Sequence, residues 1–266
     1  MLYAAFGALV SSLTISDIIE YRMNNPDTKI QPPIDTISII MASLNEERFI
    51  ENCLLSIRNQ TLIKEYPEFF EIILVDSGSE DRTVELARPY VDKIIYAPKG
   101  KLTARNLATD QANGNIIVSV DADCYYNQYW LNTLLSEFYD PNVVAVSGTA
   151  FDNNINLPFV QNFIYILDNI GRTISYPNKM SGRNSAYYKQ LFYLTGRFNE
   201  KINQLDVDEM LKEEEYGFGN RLAKYGIVKY KINAATIHFG GYRGLCRIGF
   251  NSDQCKTDKI SIERFG

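Results

Sequence analysis

Four short apolar runs, each followed by a polar loop, constrain the fold of this chain most strongly. The runs span residues 37–41, 70–75, 93–96 and 116–120. Between the first two, residues 46–59 show the spacing of an amphipathic helix, with apolar side chains at Ile50, Cys53, Leu54 and Ile57. Residues 102–112 predict a further helix before the fourth run. Strands that alternate with helices predict an α/β fold, with a mostly parallel central sheet and helices on both faces.

Two carboxylates follow the fourth run, in the triplet Asp121-Ala122-Asp123. The carboxyl ends of strands are where ligands of open α/β sheets bind. Carboxylate oxygens suit a hard divalent cation, which keeps part of its coordination shell for phosphate oxygens. A solvated acidic turn is the ordinary alternative for an isolated Asp-x-Asp. The acid Asp76, which follows the second run, indicates that this edge of the sheet carries a wider polar site.

Composition limits the classes of partner and the cellular compartment. A net charge of -5 and a pI near 5.1 argue against a nucleic-acid partner, because no basic field is available to release counterions. The four cysteines show no CxxC pair and the chain has one histidine, so neither a zinc site nor a disulfide framework is indicated. We therefore expect free thiols and a cytoplasmic protein, with membrane association through its N-terminal segment as an open alternative.

The two ends of the chain differ from its centre. Residues 1–34 predict an apolar N-terminal helix and a proline-containing linker, residues 35–240 one large domain, and residues 241–266 a loop or tail. The uncharged stretch of residues 2–16 is short for a membrane span and lacks the basic flank of a signal peptide. Residues 1–20 are thus expected to pack on the domain, to mediate oligomerisation or to contact a membrane peripherally.

Two common nucleotide-binding motifs are absent from the expected positions. No Gly-x-Gly-x-x-Gly follows the first strand, which excludes the dinucleotide-binding turn. Gly100-Lys101 resembles the end of a phosphate-binding loop, but Ile95 occupies the position of its first glycine. A Walker-type NTPase is therefore not indicated.

Several separated motifs, in the same order, resemble family 2 glycosyltransferases over residues 35–240. The matching segments are residues 38–47, 75–83, 104–106, 121–123, 182–186, 196–198 and 214–222. The resemblance implies a GT-A fold and a metal-dependent hexosyltransferase-type enzyme with Mn or Mg as cofactor. It also implies inversion at the anomeric carbon, with a sugar passing from a nucleotide-diphosphate-sugar to a hydroxyl of a carbohydrate, lipid or protein acceptor.

The same resemblance implies roles for individual residues around the donor. Asp123 matches the metal ligand of the family, Asp121 is expected nearer the ribose and base, and Asp76 matches the acid that accepts a hydrogen bond from the base ring. Arg105, with Lys101 as a weaker companion, is expected to meet phosphate or the base edge. The positions implied to contact the donor are Ala42, Leu44, Glu46, Asp76, Lys101, Arg105, Asp121 and Ala122.

The catalytic base and a second metal ligand are expected late in the chain. The acid pair of the family aligns with Glu214-Glu215; we assign Glu215 as the base, with Glu214 and Asp208 in reserve. A solvated acidic helix start is the alternative for this stretch. His238 resembles a histidine that completes the metal shell in some GT-A enzymes, whereas a buried, hydrogen-bonded histidine is the ordinary alternative.

One departure from the family leaves the base of the donor open. Leu44 stands where many relatives carry a tyrosine, and leucine can pack against a base but cannot stack or donate to it. A UDP-sugar is the leading expectation and a GDP-sugar the alternative. A nucleotidyltransferase of related fold and a non-catalytic nucleotide-sugar-binding member are the other functional hypotheses. The glycine-containing start of the tail, after residue 240, is expected to close over the donor.

Overall fold

The structure is a computed structural model that describes residues 36–152, 178–204 and 212–239. The expectations for the N-terminal segment (residues 1–34) and for the C-terminal tail (residues 241–266) fall outside the described residues. None of the described helices combines the length and the apolar character needed to cross a membrane.

The predicted alternation of strands and helices is confirmed. The strands are β1 (Ile37–Ser43), β2 (Phe70–Asp76), β3 (Lys93–Tyr96), β4 (Ile116–Asp121), β5 (Cys124–Tyr126), β6 (Val143–Asp152), β7 (Asn184–Tyr188) and β8 (Ile227–His238). The helices are α1 (Ile50–Arg58), α2 (Thr61–Glu65), α3 (Thr83–Ala87), α4 (Lys101–Gln111), α5 (Trp130–Leu135), α6 (Lys189–Leu194) and α7 (Phe218–Leu222). A π-helical turn, Glu213–Gly217, leads directly into α7.

The first helix begins later than the sequence pattern predicts. Its first residue is Ile50 rather than Glu46, and the residues between them form a turn. This turn is tied to the loop after β2, because the backbone N–H of Glu46 donates to Thr83 Oγ1 (2.7 Å) and that of Glu47 donates to Asp81 Oδ2 (3.2 Å). The loops after β1 and β2 therefore form one unit at the edge of the sheet.

All eight strands belong to one sheet, in the order β3-β2-β1-β4-β7-β6-β8-β5. The first four are parallel, β7 runs antiparallel to both β4 and β6, β6 pairs in parallel with β8, and β5 is antiparallel to β8. The register places Ser43 beside Asp76, and Ala42 beside Asp121. The acidic ends of β2 and β4 thus flank the end of β1.

Packing on both faces explains why the central strands β1 and β4 are apolar along most of their length. Every residue of β1 except Ala42, and every residue of β4 except Asp121, is buried. The face of α1 that the sequence pattern identifies packs inward, with Ile50, Cys53, Leu54 and Ile57 all buried. Strands covered on both sides are expected to read as continuous hydrophobic runs rather than as alternating ones.

The buried amide of Asn184 joins the second half of the sheet. Its Nδ2 donates to the backbone carbonyls of Thr149 on β6 and Ala234 on β8, both at 2.7 Å. Its Oδ1 accepts from the indole N–H of Trp130 at 2.8 Å. One side chain of β7 therefore forms hydrogen bonds with two neighbouring strands and with α5. These bonds hold β8, which ends at His238, in place.

Candidate active site

The acidic turn between β4 and β5 lies against the end of β8. Because β5 is antiparallel to β8, Cys124 is opposite His238. The backbone N–H of Phe239 donates to the carbonyl of Asp123 at 2.8 Å. This pairing places Asp123 Oδ2 3.2 Å from His238 Nε2. Two residues that the sequence analysis assigned to the metal thus meet, although they are far apart along the chain.

The donor chemistry of this pair fits a divalent cation. A metal with bonds of about 2.1 Å in octahedral geometry places adjacent ligand atoms about 3 Å apart, which is close to the observed separation of Asp123 Oδ2 and His238 Nε2. One carboxylate and one imidazole suit Mn²⁺, which accepts both kinds of ligand. Within residues 36–152, 178–204 and 212–239, no group of three or more His, Cys, Asp or Glu side chains is arranged to hold a metal. Phosphate oxygens and water would suit the remaining positions of such a shell.

Asp121 faces a cluster of cations instead. Its Oδ1 accepts from Arg105 Nη2 at 2.6 Å, while its Oδ2 lies 3.3 Å from Lys101 Nζ and 3.9 Å from Arg183 Nε. Lys101 and Arg105 lie one turn apart on α4, so both reach the same carboxylate. Burial acts to raise the pKa of Asp121, but Lys101, Arg105 and Arg183 outweigh it and hold that pKa well below its usual range. Asp121 is therefore ionised at physiological pH.

Glu214 completes this cluster from the π-helical turn. Its carboxylate forms an ion pair with Arg105 through Oε1, and its Oε2 lies 3.5 Å from Lys101 Nζ. Only 2% of the Glu214 side chain and 1% of the Arg105 side chain are exposed. Gly182 borders the pair so closely that an added Cβ would overlap both charged groups. The sequence pattern offers Glu214 as a reserve base and does not indicate this burial.

Arg183 is a site residue that the sequence analysis did not single out. The phenol of Tyr126 donates to the carbonyl of Arg183 at 2.7 Å and accepts the backbone N–H of Asp121 at 3.2 Å. The preceding carbonyl, that of Gly182, accepts from Ser119 Oγ and from Arg105 Nη2, both at 2.7 Å. These bonds fix the turn before β7 beside Asp121. The sequence feature that could have identified Arg183 is its position inside the segment 182–186, which resembles the family.

Asp76 organises the loop that follows β2. Its Oδ1 accepts from Ser43 Oγ (3.2 Å) and Ser79 Oγ (2.5 Å), and its Oδ2 accepts from the backbone N–H groups of Gly78 (3.0 Å) and Ser79 (2.9 Å). Four hydrogen bonds use the acceptor sites of a carboxylate. With 1% of Asp76 exposed, contact with a nucleotide base would require a serine hydroxyl to turn away. Its role in reading the base stays a prediction.

The remaining positions assigned to the donor lie along the same edge. Ala42, the penultimate residue of β1, pairs with Asp121, and Ala122 is buried between the two acids of the turn. Leu44 and Glu46 are half-buried in the loop after β1. Asn45 in this loop has a positive φ of 56°, and its side-chain oxygen accepts the backbone N–H of Glu80 at 2.9 Å. The two loops that border the site therefore support each other.

The acidic stretch around the expected base is only partly described. Glu213 forms a two-pronged ion pair with Arg221, at 2.7 and 3.0 Å. The backbone of Glu215 belongs to the same π-helical turn, but its side chain and the whole of Asp208 fall outside the described residues. The assignment of Glu215 as base stays a prediction.

The two described cysteines are free and buried beside the acidic turn. Burial raises the pKa of both thiols, so Cys53 and Cys124 are neutral at physiological pH. The thiol of Cys53 donates to the carbonyl of Asp121 at 3.3 Å. The expectation of free thiols is confirmed for these two, while Cys246 and Cys255 lie outside the described residues.

Comparison with known families identifies the family of the chain. The family model for glycosyl transferase family 2 matches residues 38–198. The chain belongs to this family. The matched region covers β1 from Ser38 onward, β2 and the acidic turn, and it ends before the π-helical turn of Glu214.

Sequence relatives of this glycosyl transferase family 2 chain share parts of its length. Glycosyltransferase AglE of Haloferax volcanii is 32% identical over 124 residues, which cover 44% of this chain and 37% of AglE. Chondroitin synthase of Pasteurella multocida is 29% identical over 205 residues, which cover 72% of this chain and 20% of the synthase. The chain thus spans well under two thirds of the length of either relative.

Solved structures confirm the expected GT-A fold. A mannosyltransferase from Pyrobaculum calidifontis, in complex with GDP-Man and Mn²⁺, has a TM-score of 0.60 at 19% identity, covering 89% of this chain and 68% of its own. Glucosyl-3-phosphoglycerate synthase from Mycobacterium tuberculosis, in complex with Mn²⁺, UDP-glucose and phosphoglyceric acid, has a TM-score of 0.54 at 18% identity, covering 86% and 77%. At these identities the likeness concerns the fold.

Proposed function

We propose that this family 2 member is an inverting glycosyltransferase that moves a sugar from a nucleotide-diphosphate-sugar to a hydroxyl acceptor, assisted by Mn²⁺ or Mg²⁺. The observation that carries the proposal is the meeting of Asp123 and His238 at the edge of the sheet, next to a cluster of cations around Asp121. A divalent cation and several fixed cations in one place suit a diphosphate.

The charges favour a diphosphate as the group bound at this edge. Lys101 and Arg183 lie on the open side of the cluster, with 28% and 24% of their side chains exposed. Arg105 is buried beneath them, so Lys101 and Arg183 are the cations placed to meet phosphate oxygens. A UDP-sugar is our first choice and a GDP-sugar the alternative, since solved relatives of this fold hold UDP-glucose and GDP-Man.

The reaction needs charge stabilisation on one side of the sugar and a base on the other. A bound metal ion neutralises the charge that develops on the leaving diphosphate. Lys101 and Arg183 add fixed positive charge there, at no cost of reorganisation during the reaction. On the acceptor side, Glu215 removes the proton of the attacking hydroxyl, and attack opposite the leaving group inverts the anomeric carbon. Membership of glycosyl transferase family 2 argues against the nucleotidyltransferase alternative.

The decisive experiment incubates the full chain with UDP-glucose, UDP-GlcNAc or GDP-mannose and a panel of carbohydrate, lipid and peptide acceptors. We expect release of the nucleoside diphosphate with Mn²⁺ or Mg²⁺, none with EDTA, and a product of inverted anomeric configuration by NMR. Release of pyrophosphate would identify a nucleotidyltransferase instead. Full turnover in EDTA would reject the metal, and binding without turnover for every pair would favour a non-catalytic member.

A further inference from the structure

We propose that Glu214 and Arg105 are positioning residues: their buried ion pair holds Asp121, and the π-helical turn that contains Glu215, in a fixed relation to each other. Under this inference Glu214 is not the catalytic base. The proposal rests on the glycosyltransferase function proposed above, and it assigns a role to a glutamate that sequence reasoning treated as a reserve base.

The contacts of Glu214 leave it no access to an acceptor. Both of its oxygens face cations, Oε1 toward Arg105 and Oε2 toward Lys101 Nζ at 3.5 Å, and the side chain is buried. Gly182 covers the pair, with no room for even one methyl group between them. A general base must come within hydrogen-bond reach of the proton that it removes. Glu214 could do so only by leaving Arg105 Nη1 buried without its ion-pair partner.

Arg105 connects the two halves of the site. Its Nη1 pairs with Glu214, while its Nη2 donates to Asp121 Oδ1 at 2.6 Å and to the carbonyl of Gly182 at 2.7 Å. One rigid, planar group therefore joins α4, the end of β4, the turn before β7 and the π-helical turn. A guanidinium presents its donors in a fixed fork, so its partners cannot move independently.

Neighbouring glutamates of the π-helical turn face different arginines. Glu213 pairs with Arg221 on α7, whereas Glu214 pairs with Arg105 on α4. The backbone of Glu215 follows immediately, so its position depends on the anchor at Glu214. A π-helical turn of this kind is often found at functional sites. The pair Glu213–Arg221 offers a matched control, because it carries the same charges on the same turn and does not include Asp121.

The test compares Glu214→Gln, Glu213→Gln and Glu215→Gln in the full chain. For Glu214→Gln we expect the donor KM to rise by about tenfold or more and kcat to fall, while the acidic limb of the pH–rate profile persists. For Glu215→Gln we expect an unchanged donor KM, a fall in kcat of roughly 10²–10⁴-fold and loss of that limb. Glu213→Gln should lower the melting temperature while donor KM and kcat stay at wild-type values.

Three outcomes would overturn the inference. Loss of the acidic limb in Glu214→Gln with an unchanged donor KM would make Glu214 the base. Wild-type kinetics in Glu214→Gln, or equal kinetic defects in Glu214→Gln and Glu213→Gln, would show that the ion pair contributes only to stability.

If Glu214→Gln does not fold, Glu214→Asp replaces it. In that variant the acidic limb of the pH–rate profile must persist and the donor KM must rise. If the wild-type chain transfers no sugar, that result contradicts the proposed function and not this inference. The positioning role of Glu214 is then tested by the affinity for UDP with Mn²⁺, measured by calorimetry. This affinity must fall in Glu214→Gln and stay at the wild-type value in Glu213→Gln.

Discussion

Asp121 shows how strongly neighbouring charges decide the chemistry of a single residue. Its carboxylate is largely buried at the end of β4, yet three cations keep it ionised. Asp123, two residues later, faces His238 instead. Two acids of one short motif therefore have different surroundings: Asp121 faces the cations, and Asp123, which we propose as a metal ligand, faces His238.

The depressed pKa of Asp121 predicts a contribution to stability that depends on pH. Because its pKa is lower in the folded chain than in the unfolded chain, the contribution is complete above the unfolded value of about 3.9 and is lost as the pH falls below it toward the folded value. Asp121→Asn lacks this titration. The difference in unfolding free energy between wild type and Asp121→Asn should therefore stay constant from pH 7 to 5 and shrink below pH 4, in urea unfolding curves. Parallel curves down to pH 3 would contradict the prediction.

Asp123→Asn tests the metal assignment directly. Loss of a metal ligand should lower the affinity for Mn²⁺ by more than about 10- to 100-fold. That range is typical of losing a group that only forms a hydrogen bond to a metal ligand. Sugar transfer should disappear while the melting temperature without metal stays near that of wild type. Calorimetric titration with Mn²⁺ and UDP measures the first effect. Asp110→Asn is the matched control, because Asp110 pairs with Arg197 and not with the acidic turn. A similar loss of Mn²⁺ affinity in Asp110→Asn would contradict the assignment of Asp123 as a metal ligand.

Asp76→Asn separates a structural role from nucleotide reading. The amide cannot accept all four hydrogen bonds that hold the loop, so we expect a loss of about 1–3 kcal/mol in unfolding free energy without nucleotide. If Asp76 also reads the base, UDP affinity falls further than in Ser43→Ala, which removes only one of these bonds. Equal UDP affinity in the two variants would show that Asp76 stabilises the loop and does not contact the base.

At the level of elements, the turn before β7 links the helices to the sheet. Gly182 accepts two hydrogen bonds through its carbonyl and borders the ion pair of Arg105 and Glu214. Strand β7 follows, and the amide of Asn184 then bridges β6 and β8. This short segment thus contacts both the cation cluster and strand β8, which ends at His238.

Gly182→Ala should disturb this junction through volume alone. The added Cβ would overlap the charged groups of Arg105 and Glu214, and we expect a loss of roughly 1–3 kcal/mol in stability together with weaker UDP binding. Gly196→Ala is the control: its Cβ has open space, but a φ of +90° adds backbone strain of about 1–2 kcal/mol. UDP affinity should fall in the first variant only. Equal affinities would show that the junction tolerates the methyl group.

At the scale of the whole molecule, the site gathers positive charge in a chain of net charge -5. Lys101, Arg105 and Arg183 converge on one edge of the sheet, from α4 and from the turn before β7. The partly exposed cations Lys101 and Arg183 suit a small anionic ligand, whereas a nucleic acid needs an extended basic surface.

Removal of residues 1–24 tests whether the N-terminal segment belongs to this site. Among the described residues, the ion pairs of the cation cluster and the Asp123–His238 pair join side chains within residues 101–238. We therefore expect the shortened chain to bind UDP with Mn²⁺ as the full chain does, measured by calorimetry after its fold is checked by circular dichroism. Loss of UDP binding in a folded shortened chain would place the segment within the site.

The amino-acid sequence by itself determined the four parallel strands, the helices between them and the acids at the strand ends. These features follow from the periodicity of apolar residues and from turn chemistry, both of which act over a few neighbouring residues. The order of several motifs also sufficed to identify the family, because each motif is short and continuous.

Only the tertiary structure decided which of these residues meet. His238 reaches Asp123 because β5 pairs with the end of β8, and Glu214 is buried because the π-helical turn lies over Arg105. No local pattern distinguishes a glutamate that faces an arginine inside the protein from one that faces solvent. Strand order, burial and ion pairing depend on contacts between distant segments, and their energies exist only once those segments have packed together.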